Sequence, residues 1–141
     1  MTEIDRHEAT TAEVDQLVLC LFAMIADRLE KATDAFLAVD LEQANRLIAG
    51  DGEFQTLQEE VEELVETELA LRRSDTDIGL LLAVLRIVPE LERSGDPVEH
   101  IALRTAQGVA GALTEEVRAL IEAMARAGVR MWRTAARAYI E

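Results

Sequence analysis

Glu92 and Asp96 stand four residues apart in the run Leu91-Glu92-Arg93-Ser94-Gly95-Asp96-Pro97-Val98-Glu99-His100-Ile101. On a helix that spacing places two carboxylates on one face, about one turn apart. His100 extends the row by another turn, and Glu99 lies beside it. Carboxylates with an imidazole suit iron, zinc or manganese, and carboxylates alone suit magnesium. One helix cannot fill a coordination sphere, so a second helix or a second subunit has to contribute. The plainer reading of the same row is a solvated face, with Arg93 as a neutralising ion-pair partner.

Two other charged faces stand out. Glu59, Glu60, Glu62, Glu63, Glu66 and Glu68 crowd one helix, and Arg126, Arg130, Arg133 and Arg137 recur at spacings of four, three and four on another. Exposed pairs of this kind contribute roughly 0–1 kcal/mol each. The functional alternative is a basic contact strip for an acidic partner, with Trp132 beside it as an anchor or as core. Catalytic patterns are missing. There is no Gly-x-Ser-x-Gly elbow, no phosphate-binding Gly-x-x-x-x-Gly-Lys loop and no obvious nucleophile beside either histidine. The residues three before His7 and His100 are Ile4 and Pro97, so the Glu-x-x-His pair of di-iron bundles is absent. A non-enzymatic role is expected.

The elements that must position these residues follow from periodicity. The chain has 141 residues, 50% hydrophobic and 30% charged, with 4% aromatic and two prolines. Abundant Ala, Leu and Glu with few β-branched runs point to an all-α protein. Residues 1–10 read as a polar tail and residues 11–141 as a single domain. Val14, Leu17, Val18, Leu21, Ile25, Leu29 and Ala32 make 11–38 a long amphipathic helix. Asp40 and Gln43 open the next helix with a capping box, Gly50 and Gly52 kink or break it, and it resumes to about Arg73. Ser74 and Asp77 cap a third helix that runs to about Gln107, bent at Pro89 and Pro97. Thr114 caps a last helix to the end. Short connections close these helices into an antiparallel up-and-down bundle of three to four long helices.

A net charge of −14 argues against nucleic acid and against docking the whole surface on anionic lipid, and is compatible with metal cations or a basic protein. Cys20, in the apolar run 17–26, reads as a buried thiol. A single cysteine forms no internal disulfide, which fits a reducing cytoplasmic setting. The longest uncharged apolar runs fall well short of the ~20 residues that span a bilayer, so any membrane role is peripheral.

The segment 75–102 resembles the signature helix of the PhoU family of phosphate-uptake regulators. That family shows an Asp-Leu-Arg-like start, an apolar stretch, and then Leu-Glu-Arg-x-Gly-Asp-x-x-x-Asn-Ile. Leu91, Glu92, Arg93, Gly95, Asp96 and Ile101 match the second part and Asp77 the first. Segment 35–44 resembles the family's first inter-helix connection, and Asp51 matches an acidic position of the next helix. Departures are Gly79 for the arginine, His100 for the asparagine, Gln55 for the second acid of the middle helix, and the two prolines. The resemblance implies one repeat plus the first helix of a second. It further implies a cytoplasmic regulator of phosphate uptake and phosphate-starvation signalling, acting through a phosphate-specific ABC transporter and a sensor histidine kinase, often as a homodimer. The metal ligands it suggests are Glu92 and Asp96, with His100 and Asp51 contributing, for iron, zinc, manganese or magnesium. The alternative is a helical interaction module that has kept the fold and lost the metal, working through Arg126, Arg130, Arg133 and Arg137 or through the glutamate face.

Overall fold

The computed structural model describes residues 3–71 and 77–141, with side chains for 10–50, 52–71 and 77–141. Five helices make up the fold: α1 (Glu3–Ala38), α2 (Leu41–Ala49), α3 (Asp51–Leu71), α4 (Ile78–Thr105) and α5 (Glu115–Ile140), with a short 3₁₀ turn at Val109–Ala112 before the last. No strand is present among the described residues. The first helix starts at Glu3 rather than near Thr11, so the polar segment continues the helix. The break around the two glycines is a single residue, Gly50, and Gly52 lies inside α3.

The starts of three helices are set by side chains. Asp40 accepts from the backbone N–H of Gln43 and Asp77 from that of Leu80, each at 3.0 Å, and Thr114 accepts from Val117 at 3.4 Å. Each cap satisfies a donor that the first helical turn leaves unpaired. Ser74, expected beside Asp77 as a cap, lies outside the described residues. The join between α1 and α2 is very tight. Val39 N–H donates to Phe36 O and Asp40 N–H to Ala35 O, which closes a Schellman turn with Val39 in the left-handed region at φ 54°. Pro89 and Pro97 both lie inside α4, which runs through them unbroken.

α1 is the axis of the bundle. α5, α4, α3 and α2 all pack on it, and α3 and α4 also pack on each other. Tyr139 reaches back to Asp15 and Arg118 to Leu37, so α5 runs antiparallel to α1. The core is built from Val14, Val18, Leu21, Phe22 and Ile25 of α1, Phe54, Val61 and Val65 of α3, and Leu81, Val84, Val88 and Leu91 of α4. Each such side chain contributes roughly 1.5–3 kcal/mol through burial. Trp132 and Tyr139 of α5 pack on Phe22, with ring centroids 6.2 Å apart in both pairs. Trp132 therefore belongs to the core side of α5. Cys20 is exposed, contrary to its reading as a buried thiol: it turns away from the stripe formed by Val18, Leu21 and Phe22.

Candidate functional site

Leu91 and Val88 hold α4 against the core, with 1% and 0% of their surfaces exposed. That anchorage turns Glu92, Asp96 and His100 outward, and all three are exposed, while Glu99 is half-buried. Arg93, next to the row, pairs with Glu90 one turn back and so does not neutralise Glu92.

What lies opposite Glu92 comes from α3. Gln58 donates from Nε2 to Glu92 Oε2 at 3.1 Å and to Glu62 Oε1 at 3.1 Å. Two carboxylates from adjacent helices thus share one amide nitrogen, and their oxygens lie no further apart than twice that distance. The other amide atom, Gln58 Oε1, is buried and has no hydrogen-bond partner among the described residues. A neutral amide between two negative groups balances neither charge, and an oxygen-rich pair with a spare amide oxygen suits a hard or borderline cation. Counting from the Gln58–Glu92 contact along the antiparallel pair places the start of α3 level with Glu99 and His100. Asp51 opens that helix, but its side chain lies outside the described residues. Among the described residues, no three His, Cys, Asp or Glu side chains converge closely enough to hold a metal ion.

The sequence singles out Glu62 only as one of the crowded glutamates, and it does not single out Gln58 at all. The signal for them was the short 71–78 connection, which makes α3 and α4 a hairpin and fixes which turns face each other. Glu59, Glu60, Glu63 and Glu66 on the glutamate face of α3 are exposed, whereas Glu62 is half-buried and Glu68 is buried at 4% exposure.

Arg126, Arg130, Arg133 and Arg137 of α5 are all exposed, but they do not form one free strip. Arg126 pairs with Glu122 at 2.6 Å and Arg133 approaches Glu30 of α1 at 3.5 Å. Arg137 donates to Thr134 at 3.2 Å, and Arg130 stands beside them. Together with Glu30 and Asp34, Arg126, Arg130 and Arg133 border a polar cleft between α1 and α5. Arg118 has a different task. It donates to the carbonyls of Leu37 at 2.7 Å and Ala110 at 3.0 Å, fastening the start of α5 to the end of α1. No helix among the described residues is long and apolar enough to cross a membrane.

Comparison with known proteins places this geometry. The family model of the PhoU domain matches residues 18–105, which spans α4 with its Glu92–Asp96 row and most of α1 through α3. The chain is 29% identical over 93 residues to a phosphate-specific transport system accessory protein PhoU homolog of Aquifex aeolicus, covering 65% of this chain and 42% of the relative. It is 29% identical over 108 residues to the homolog from a Burkholderia species, covering 72% and 46%. With the Serratia marcescens protein it shares 31% over 90 residues, covering 63% and 37%. The chain thus spans less than half the length of these curated relatives. No solved structure matches it. The matched domain, the helical bundle and the Leu91-Glu92-Arg93-x-Gly95-Asp96 run on its third long helix agree, and the chain belongs to the PhoU family.

Proposed function

We propose that this protein regulates phosphate uptake and phosphate-starvation signalling in the cytoplasm, by contact with a phosphate-specific ABC transporter and its sensor kinase. The observation that carries this reading is the PhoU-domain match over 18–105, with the Glu92–Asp96 row exposed on α4. The printed names of the relatives, accessory proteins of phosphate-specific transport, support the same direction. The working unit is a homodimer, and its role is non-enzymatic.

In this reading Glu92 and Asp96 hold a cation at the bundle surface, with His100 and Asp51 completing the set and Glu62 close by. A bound cation would supply positive charge between α3 and α4. The residues would shape a surface that a partner can read. The test pairs two readouts: metal per chain by elemental analysis, and repression of a phosphate-starvation reporter in cells lacking their own copy. Glu92→Ala/Asp96→Ala is expected to lose both. Full repression by the double variant would remove the row from the mechanism.

A second reading rests on the charged cleft that Arg126, Arg130 and Arg133 border with Glu30 and Asp34 between α1 and α5. There the bundle is an adaptor that works through its charged faces alone. It expects no metal in either protein, and loss of repression on reversing the charges of Arg126 and Arg133 instead.

A further inference from the structure

α5 carries more apolar surface than α1 covers. Its inner seam, which includes Ile121, Gly128, Trp132 and Tyr139, faces the bundle. A second seam runs beside it: Val117, Leu120, Met124, Ala127, Met131 and Thr134, at alternating spacings of three and four. That is the repeat of a helix packed lengthwise on another helix. Yet Leu120, Met124 and Met131 are 63%, 73% and 72% exposed. Single exposed apolar residues are ordinary, but a contiguous stripe along a helix marks a contact surface.

The flank of the seam says what covers it. Glu116, Ala123, Arg130 and Arg137 follow one another every seven residues along one edge, and all four are exposed. The edge is acidic at its start, small and neutral next, and basic in its second half. Glu116 and Arg130 make no ion pair among the described residues, and Arg137 only reaches Thr134 on its own helix. A wholly basic partner would repel the two arginines, and a wholly acidic one would repel Glu116. A second α5 laid antiparallel offends neither end. Glu116 then stands opposite Arg137, and the long Arg130 opposite the short Ala123, twice over by symmetry.

The register is selected as well. In an antiparallel heptad pair, the alignment that joins those flanking residues also sets Leu120 against Met131 and Met124 against Ala127. Sliding the pair by one heptad in one direction brings Arg130 against its own copy. Sliding it the other way carries Arg137 past the first turn of the partner helix. The alignment between them pairs the charges and covers the longest stretch of seam.

We propose that a second copy of this chain binds along this face, α5 antiparallel to α5, about a two-fold axis level with Arg126. Such an isologous contact uses one patch on both copies. It deepens the homodimer of the proposed function by giving it an interface, and its test does not depend on repression or on metal.

The test is the mass of the 141-residue chain in solution by light scattering, with helicity checked by circular dichroism. Wild type is expected as two copies. Glu116→Arg alone and Arg137→Glu alone each turn two attracting pairs into two repelling ones. Each is expected to raise the dissociation constant about fivefold at low salt. The double variant Glu116→Arg/Arg137→Glu restores opposite charges and is expected to recover the dimer, as is an equimolar mixture of the two single variants. Met124→Glu/Met131→Glu, at exposed positions, is expected to be monomeric with unchanged helicity. A monomeric wild type would overturn the proposal and leave the seam to another segment or partner. So would single charge variants as dimeric as wild type, a double variant no tighter than the singles, or a dimer that survives Met124→Glu/Met131→Glu.

Discussion

Gln58 offers the sharpest handle on the carboxylate pair. Its Nε2 serves Glu62 and Glu92 at 3.1 Å each, while its Oε1 is buried without a partner among the described residues. Gln58→Leu removes a donor to charged groups, worth roughly 1.5–3 kcal/mol, and also removes a buried orphan acceptor of roughly 1–3 kcal/mol. The two changes oppose each other, so stability is expected to move by about 1 kcal/mol or less. Gln58→Glu differs in kind. It loses the donor and brings a third carboxylate beside two others. At about 4 Å, each like-charge contact amounts to roughly 1 kcal/mol in water and roughly 4 kcal/mol at an effective dielectric of 20. Glu92 is exposed, which favours the lower figure for that contact, while Glu62 is half-buried. A destabilisation of about 3 kcal/mol is expected, or a urea midpoint lower by about 1.5 M for a slope near 2 kcal/mol/M. Millimolar manganese or magnesium is expected to recover much of the loss, because three carboxylates then have a cation to share. Urea unfolding followed by circular dichroism, in chelator and in divalent salt, reads both effects. Equal stability of Gln58→Glu and wild type in chelator would refute the claim that these side chains are gathered.

Three further outcomes are open to measurement. A Cβ on Gly95 meets nothing within 4 Å, so Gly95→Ala is expected to stabilise the middle of α4 by about 0.5–1 kcal/mol. A destabilised Gly95→Ala protein would contradict that packing, whereas a more stable protein that no longer represses would show that another molecule approaches α4 there. Val39 holds a left-handed φ of 54° where glycine is the usual residue, so Val39→Gly is expected to raise stability by about 1 kcal/mol. Thermal unfolding should then rise by about 2–4 °C, and a lower midpoint would show that the turn is not strained. Burial, and then the 2.6 Å hydrogen bond to Asp15, push the Tyr139 hydroxyl well above the ordinary tyrosine range. The unfolded chain ionises this tyrosine near pH 10.0, so the stabilisation is present below that pH and is lost as pH rises towards the folded value. Unfolding of Tyr139→Phe at pH ~8 and ~11 should show a shallower alkaline loss than wild type, and an identical slope would refute it.

The fold was legible where local chemistry decides it. Asp40, Asp77 and Thr114 are short polar residues placed before apolar-periodic runs, and each caps the helix it precedes. The core stripe of α1 reads directly from its spacing. Legibility failed where the answer depends on which face meets which neighbour. Cys20 sits in an apolar run, but one step of helical rotation from Leu21 carries it out to solvent. Gln58 and Glu62 acquire meaning only once the α3–α4 hairpin fixes the register opposite Glu92. The arginines of α5 read as one strip because their spacing is regular. The structure divides them: Arg126 and Arg133 are engaged by Glu122 and Glu30, while Arg130 and Arg137 edge the exposed seam.

The position of α1 has a functional consequence. It takes α5 on one flank and the α3–α4 pair on others, and Glu92 turns towards α3 rather than towards α5. The carboxylate row and the apolar seam of α5 therefore occupy separate surfaces. A dimer closed through α5 leaves the row of each copy free, so one assembly would present two carboxylate rows to its partners. Separate surfaces without shared contacts also make the effects additive, within about 0.5 kcal/mol for distant positions. Combining Gln58→Glu with Met124→Glu/Met131→Glu should therefore lower monomer stability by the sum of the separate changes, measured at a concentration where all forms are monomeric. A coupling well beyond that figure would mean that the row and the seam communicate through α1, and that cation binding and pairing of the chains are linked.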